Sequence, residues 1–497
     1  MSATPRSRFL IPLAVFAAGF LLRFLPLLLS PTVAHADEVF QAMEQAHRLV
    51  FGYGFVPWEF DYHARSWAMA VMAAGGMEIA HLLGGGAALY LPLVHASFAT
   101  LGAATTLCVF RWGERIYGPW GGAAVALVSA SWIDNIFFGG RSLTEVVAAH
   151  FLILGVYFTL APTSSWRGWM VGGLLAGAAI VLRLQLAPAA ALLWIWPGVT
   201  RQRFAVLTAG AALACAAFGL LDVATGSMPF EPQWQNVRFN LLMGGGASAF
   251  GSSPWHFYIG EMARNWGASA ALFAGLALLG ARRQPILLAM ALVILVAHMA
   301  IGHKEYRFIY PAIALLSILA GFGLVDLTRR IANGAGNPQR AAPLWLAVVV
   351  ALVWSGFSLL NAAGRNYQDS WREYADMVSA QMRVAKMPSV CGVAFLDGAF
   401  PIGGYTYLHR RVPVFRLRPQ DTDLDTKFTA VNVVIRNTER SKVAVPADFT
   451  RDRCSGTVCV HTRPGPCASV PLPKVTPGPL SVSVARSNLY PRVDGIE

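Results

Sequence analysis

Apolar runs long enough to cross a lipid bilayer recur along the chain, and no other feature limits the possible folds so strongly. They lie near 9–29, 88–110, 119–138, 142–162, 168–186, 187–199, 204–221, 266–281, 284–302, 306–326 and 342–361. A hydrocarbon core of about 30 Å takes about 20 apolar residues in a helix, because lipid offers no partner for an open backbone N–H or C=O. Charge agrees with that reading. Only 13% of the 497 residues are charged, against about 25% in a soluble domain. The expectation is an α-helical polytopic membrane protein with about eleven spans. The 187–199 run is short and bracketed by Pro188 and Pro197. The first run follows Arg6 and Arg8 as a signal core would, but it is too long and no small-residue cleavage site follows, so it reads as a retained first span.

One stretch decides the sidedness of everything after it. Residues 65–84 are apolar, yet Glu78 and His81 interrupt them and three glycines close them. With the N-terminus in the cytoplasm and 65–84 left out of the count, the cytoplasmic loops hold Arg111, Arg115, Arg167, Arg201, Arg203, Arg282, Arg283, Arg329, Arg330 and Arg340. That is the positive-inside pattern at every turn; counting 65–84 as a span would reverse it. The stretch is therefore expected as a helix on, or partly in, the outer membrane surface. The same parity puts 30–64, 139–141, 222–265, the turn at 303–306 and the tail after 362 on the outer face.

Two domains follow: a transmembrane domain over 1–361 carrying outer loops 30–87 and 222–265, and an extracytoplasmic soluble α/β domain over 362–497. The tail alternates short apolar runs, Val390–Leu396 and Val431–Ile435, with Pro, Gly, Asp and Arg, and its last 30 or so residues look irregular. Of six cysteines, Cys108 and Cys215 fall in apolar runs and read as small hydrophobes. Cys391, Cys454, Cys459 and Cys467 lie in the tail, where a disulfide is expected but its pairing is not readable. The net charge of +13 comes mostly from loop and tail arginines and lysines, with no basic block interleaved with aromatics, which excludes nucleic acid as a partner and leaves membrane lipids.

The polar residues collect on the outer face. The first loop reads His35-Ala36-Asp37-Glu38-Val39-Phe40-Gln41-Ala42-Met43-Glu44-Gln45-Ala46-His47. Helical spacing sets Asp37, Gln41, Glu44 and Arg48 on one face and Phe40, Met43 and His47 on another, as in an interfacial helix. Asp37 at its start can be a helix cap or a chemical group. Pro57-Trp58-Glu59-Phe60-Asp61 and then Arg65-Ser66 follow, an aromatic among acids that suits sugar stacking and hydroxyl binding; Trp58 also suits an interfacial belt. The second cluster is His303-Lys304-Glu305-Tyr306-Arg307-Phe308. Ionisable groups this dense at a membrane edge are costly unless paired or used. If a span starts here, His303 and Arg307 lie one turn apart and can clamp a phosphate with Lys304 beside them. Arg141 with Glu145, Arg183 with Gln185, and Asp222 sit at outer ends of spans, and the loop with Trp234, Arg238, Asn240, Gly244–Gly246, Trp255, His256 and Tyr258 is rich in sugar-compatible groups.

The run H-A-D-E-V-F-Q-A-M-E-Q-A-H, then P-W-E-F and R-S, then H-K-E-Y-R-F resembles glycosyltransferase family 22, the lipid-phosphate-mannose transferases of GPI-anchor and N-glycan assembly. Asp222, Phe239-Asn240 and Pro254-Trp255-His256-Phe257-Tyr258 add to it over roughly 9–330, while Ala36 stands where the family has proline and Pro57 where it has threonine. The resemblance implies a GT-C architecture and inverting transfer of a sugar, mannose first, from a polyprenyl-phosphate donor to a glycan or glycolipid acceptor. It implies Asp37 as base and Glu38 as the residue that orients the acceptor or holds a cation. His35, Gln41, Glu44, Trp58, Glu59, Arg65, Arg183, His303, Lys304, Glu305 and Arg307 become the substrate-binding set. The leaving phosphate needs no proton, so one base suffices and the scheme requires neither cofactor nor metal. Abundant Arg and Ala with few Lys point to a bacterial member, in an inner membrane with the site facing the periplasm. Other GT-C transferases of aminoarabinose or protein O-mannosyl type are disfavoured by the H-K-E-Y-R-F turn. A secondary transporter is disfavoured because its charges would gather near the midplane. Protein partners are not legible.

Overall fold

The computed structural model describes residues 5–161, 165–333 and 344–470. The expectations for Arg340 and for the irregular end of the tail beyond 470 lie outside the described residues. The chain divides into two compact units, one of Met1–Leu27 with His95–Gln368 and one of Leu28–Val94 with Asp369–Glu497.

The helices run in order α1 (Pro5–Leu29), α2 (Ala36–Glu38), α3 (Glu44–Phe51), α4 (Trp58–Asp61), α5 (Ala68–Leu82), α6 (Ala87–Ala130), α7 (Ile133–Phe137), α8 (Thr144–Leu160), α9 (Trp166–Leu182), α10 (Ala187–Ile195) and α11 (Arg201–Ala224). Then come α12 (Glu231–Val237), α13 (Gly245–Phe250), α14 (Phe257–Trp266), α15 (Ser269–Ala281), α16 (Pro285–Met299), α17 (Tyr310–Asn333), α18 (Leu344–Ala362), α19 (Arg365–Arg372), α20 (Ala375–Ala385), α21 (Gly404–Leu408) and α22 (Leu424–Thr429). Among the described residues four helices are long and apolar enough to cross a bilayer: Phe9–Leu29, Ala87–Ala130, Arg201–Ala224 and Tyr306–Ala332. Seven shorter apolar helices of 10–17 residues accompany them. The runs at 88–110 and 119–138 are joined in α6, with a kink at Gly118, whose φ of 79° only glycine adopts without strain. The second run then stops at Ala130, and its last residues form α7.

In the first unit, small residues let helices approach closely, the packing mode open to apolar segments in lipid. A Cβ on Gly280 of α15 would meet Leu319 O and lie 2.8 Å from Gly323 N of α17. Two of the arginines expected on the cytoplasmic side, Arg283 and Arg329, meet around Tyr117. Arg283 forks onto Asp326 at 2.8 and 2.9 Å, Tyr117 OH donates to Asp326 at 2.8 Å, and Arg329 lies over the Tyr117 ring. α17 as a whole is about 36 Å long at 1.5 Å per residue, and the H-K-E-Y-R-F turn precedes its other end.

The second unit carries a five-stranded sheet among the described residues, order β2-β1-β3-β5-β4. Its strands are β1 (Val393–Leu396), β2 (Val414–Leu417), β3 (Val433–Asn437), β4 (Thr450–Ser455) and β5 (Val458–Thr462). β1 pairs in parallel with β2 and β3, while β5 runs antiparallel to both β3 and β4. The two apolar runs of the tail are β1 and β3, both buried at their starts. Two disulfides close among the described residues, Cys391–Cys467 across a separation of 76 and Cys454–Cys459 within the β4–β5 hairpin. α5 belongs to the same unit and leaves Val71, Ile79, Leu82 and Leu83 exposed.

Candidate active site

The acid loop is held in the second unit. His35 caps α2 with extended backbone, and its Nδ1 accepts from Asp37 N at 3.2 Å. That nitrogen is thereby unprotonated, so its 3.5 Å approach to Asp37 Oδ1 is proximity rather than an ion pair. Asp37 stands in the first turn, where the helix dipole favours its charge, and its side chain stays 21% exposed. Glu38 is fully buried, and its Oε2 accepts Ala34 N at 2.9 Å.

Directly after the acid pair the helix widens into a π turn, Val39–Met43, in which Glu44 N donates back to Val39 O. Such one-residue insertions often mark functional sites. The extra residue rotates all that follows by about 100°. The expected shared face of Asp37, Gln41, Glu44 and Arg48 is therefore broken, and the helix is not interfacial: Phe40, Gln41, Met43, Glu44, His47 and Arg48 are all buried. Glu44 Oε1 accepts Phe55 N at 2.8 Å and Tyr405 N at 3.0 Å; its Oε2 accepts Thr406 N at 2.9 Å and Thr406 Oγ1 at 2.7 Å. Burial pushes the Glu44 carboxyl above its ordinary range, and these four donors pull it back. Tyr405 and Thr406 belong to α21, in a tail where the sequence held no motif to reveal them.

Gln41 turns toward α4 and donates from Nε2 to Glu59 Oε1 at 3.0 Å. Trp58 opens α4, its ring 6.4 Å from that of Tyr62. Arg65 follows α4 and faces Glu59 electrostatically.

The basic turn belongs to the first unit. Glu305 is extended and the helical geometry begins only at Tyr306, so the condition for His303 and Arg307 to share a helix face is not met. Glu305 joins them instead: its Oε1 lies 3.0 Å from His303 Nε2 and its Oε2 accepts Arg307 Nε at 2.6 Å. His303 Nδ1 also lies 3.2 Å from Gly251 O. Two acceptors on one ring favour the imidazolium, and the Glu305 carboxylate raises the His303 pKa. Lys304 Nζ donates to Ser253 O at 3.0 Å and to Ile301 O.

Arg183 follows the end of α9. It shares the fully buried Glu145 with Arg307, NH1 to Oε1 at 3.3 Å and 3.0 Å. Both guanidiniums lie over the Phe308 ring, at 5.0 and 5.1 Å. With Lys304 beside them, Arg183, His303 and Arg307 make four basic side chains against the two carboxylates of Glu145 and Glu305, which leaves the cluster positive. Arg141 Nε donates to Phe137 O at 2.8 Å. Asp222 Oδ2 accepts Phe230 N at 3.1 Å.

One buried acid escaped the sequence reading. Asp134 accepts Trp266 Nε1 and Tyr306 OH, both at 2.9 Å, and burial lifts its pKa to about 6. It lay inside a run taken as a span, and an ionisable group there was the available signal. Among the described residues no three His, Cys, Asp or Glu side chains gather to hold a metal ion.

A profile of the Alg9-like mannosyltransferase family matches residues 14–393. GPI mannosyltransferase 3 of Yarrowia lipolytica is 28% identical over 413 residues, covering 78% of this chain and 74% of that enzyme. GPI alpha-1,2-mannosyltransferase 3 of Mus musculus is 28% identical over 321 residues, 62% of this chain, and the match spans only 58% of the mouse enzyme's length. Among solved structures, ArnT from Cupriavidus metallidurans bound to undecaprenyl phosphate aligns with a TM-score of 0.60, covering 92% of this chain and 98% of that one. At 12% identity the likeness is one of fold alone, and that fold is GT-C. A helical membrane fold, an acid pair at a helix start and a family profile spanning most of the sequence lead to one conclusion: the chain belongs to the Alg9-like mannosyltransferase family and is an integral-membrane glycosyltransferase.

Proposed function

We propose that this enzyme moves mannose from a polyprenyl-phosphate donor to a hydroxyl of a glycan or glycolipid on the non-cytoplasmic side of its membrane, with Asp37 as the base. The observation that carries the reading is the unequal placement of the acid pair. Glu38 is buried on Ala34 N, whereas Asp37 keeps an accessible carboxylate beside the helix start. A base must reach the proton it removes, so Asp37 suits that role and Glu38 suits bracing it.

In the reaction, Asp37 takes the acceptor hydroxyl proton as that oxygen attacks the anomeric carbon. The bond from that carbon to the phosphate oxygen breaks, and the lipid phosphate leaves as an anion with both bonding electrons. The positive cluster of Arg183, His303, Lys304 and Arg307 is the natural stabiliser of that charge, with Glu145 and Glu305 fixing its guanidiniums and imidazole. The fold relative holding undecaprenyl phosphate supports a lipid-phosphate donor, and the relatives' names support mannose and a GPI-type glycolipid acceptor. Sidedness is supported by the two disulfides, which persist in oxidising compartments and sit in the same unit as Asp37.

Asp37→Asn should abolish transfer from purified polyprenyl-phosphate mannose while donor binding is retained. Turnover near the wild-type rate in that variant overturns the assignment of the base.

A further inference from the structure

The carboxyl of Glu59 is built unlike the others in the acid loop. It is 8% exposed, and while Oε1 accepts from Gln41 Nε2 at 3.0 Å, Oε2 is buried with no hydrogen-bond partner among the described residues. Gln41 lies in the π turn that follows Asp37, so its amide ties Glu59 to the helix carrying the proposed base. The charges facing Glu59 are Asp37 from α2 and Arg65 from the segment after α4.

An ionised carboxylate with one dry, unpartnered oxygen beside a second carboxylate is the expensive state of such a group. The neutral acid is cheaper. With Gln41 donating to Oε1, the proton belongs on Oε2, and that hydroxyl then has a hydrogen bond to give and nothing yet to receive it.

We propose that Glu59 works as an un-ionised acid, its Oε2 hydroxyl donating a hydrogen bond to the acceptor sugar that Asp37 deprotonates. This rests on the assignment of Asp37 above and adds the protonation state and pH behaviour of a second residue. Glu59 keeps its proton through the reaction; its work is to hold the acceptor. Burial and the negative charge of Asp37 both raise its pKa, and Arg65 opposes them. Activity falls at higher pH as Glu59 loses its proton, giving an alkaline limb that belongs to Glu59.

Two measurements on the full-length chain test this. Infrared difference spectra of wild type and Glu59→Gln at pH 7 should show a protonated-carboxyl band present in the former and missing in the latter. No such difference overturns the proposal, whatever the fate of Asp37. The second is the pH profile of labelled mannose transfer from polyprenyl-phosphate mannose into total lipid extract of the source membranes. The Gln amide can still donate, so Glu59→Gln should lose less than about ten-fold and lose the alkaline limb, while Glu59→Ala loses about a hundred-fold or more. Equal loss in both variants, or an alkaline limb that survives in Glu59→Gln, overturns it. An active Asp37→Asn variant would instead remove the assignment of the base and leave the infrared result standing.

Discussion

Glu44 shows how a side chain taken for a substrate contact can be fully engaged within the protein. Each of its carboxylate oxygens already receives two donors, three of them backbone N–H groups of Phe55, Tyr405 and Thr406. Glu44→Ala would leave those three N–H groups buried and unpaired, at about 1–3 kcal/mol each. A stability loss of roughly 3 kcal/mol or more should appear in thermal unfolding of the detergent-solubilised protein. An unchanged midpoint would mean the segment re-pairs and the contact is dispensable. The sequence could not have shown this, since the donors lie 361 and 362 positions away and are mostly backbone groups, which carry no residue signature. By contrast, Asp37 and Glu38 stood out from sequence because two adjacent acids between apolar runs are costly and therefore conspicuous.

Among the elements, apolar helices were legible because lipid imposes length and composition on them, and the runs at 142–162, 168–186 and 204–221 became α8, α9 and α11. Their ends were not. A span beginning at the first residue of the H-K-E-Y-R-F turn would put His303 and Arg307 on one face, yet Glu305 is extended and its carboxylate reaches both. The π turn after Glu38 likewise has no signature in residue type, and it redirects every side chain that follows. Helix pairing gives a sharper test. Gly280 and Gly323 face one another where α15 crosses α17, and neither position admits a Cβ without displacing backbone. Gly323→Leu should destabilise the protein by about 1–3 kcal/mol or more through overpacking. Gly275 of α15 meets nothing within 4 Å, so Gly275→Leu is the control and should leave the unfolding midpoint unchanged. Equal behaviour of the two would exclude close packing as the reason for glycine at 323.

At the scale of the whole molecule, one unit is assembled from two distant stretches, Leu28–Val94 and Asp369–Glu497, and the disulfides lock only the later of them. The Cys391–Cys467 bridge closes 76 residues and the Cys454–Cys459 bridge only 5. On loop entropy alone these constrain the unfolded chain by about 4–5 and about 2 kcal/mol. Cys391→Ser should therefore lower resistance to proteolysis of the C-terminal sheet much more than Cys454→Ser. The reverse order would mean that hairpin strain, not loop closure, governs this domain. Family membership and the helical membrane class were legible from sequence; the pairing of the four tail cysteines was not, because spacing along the chain does not specify distance across a sheet.

The hydrogen bonds from α21 to Glu44 also order events in time. A ribosome adding about 5–20 residues each second delivers Tyr405 and Thr406 roughly 20–70 s after Glu44 has been made. Throughout that interval Glu44 has only the Phe55 N donor and lacks the three from α21. A chain cut short at any earlier codon is therefore born without three of the four hydrogen bonds that Glu44 receives in the finished fold.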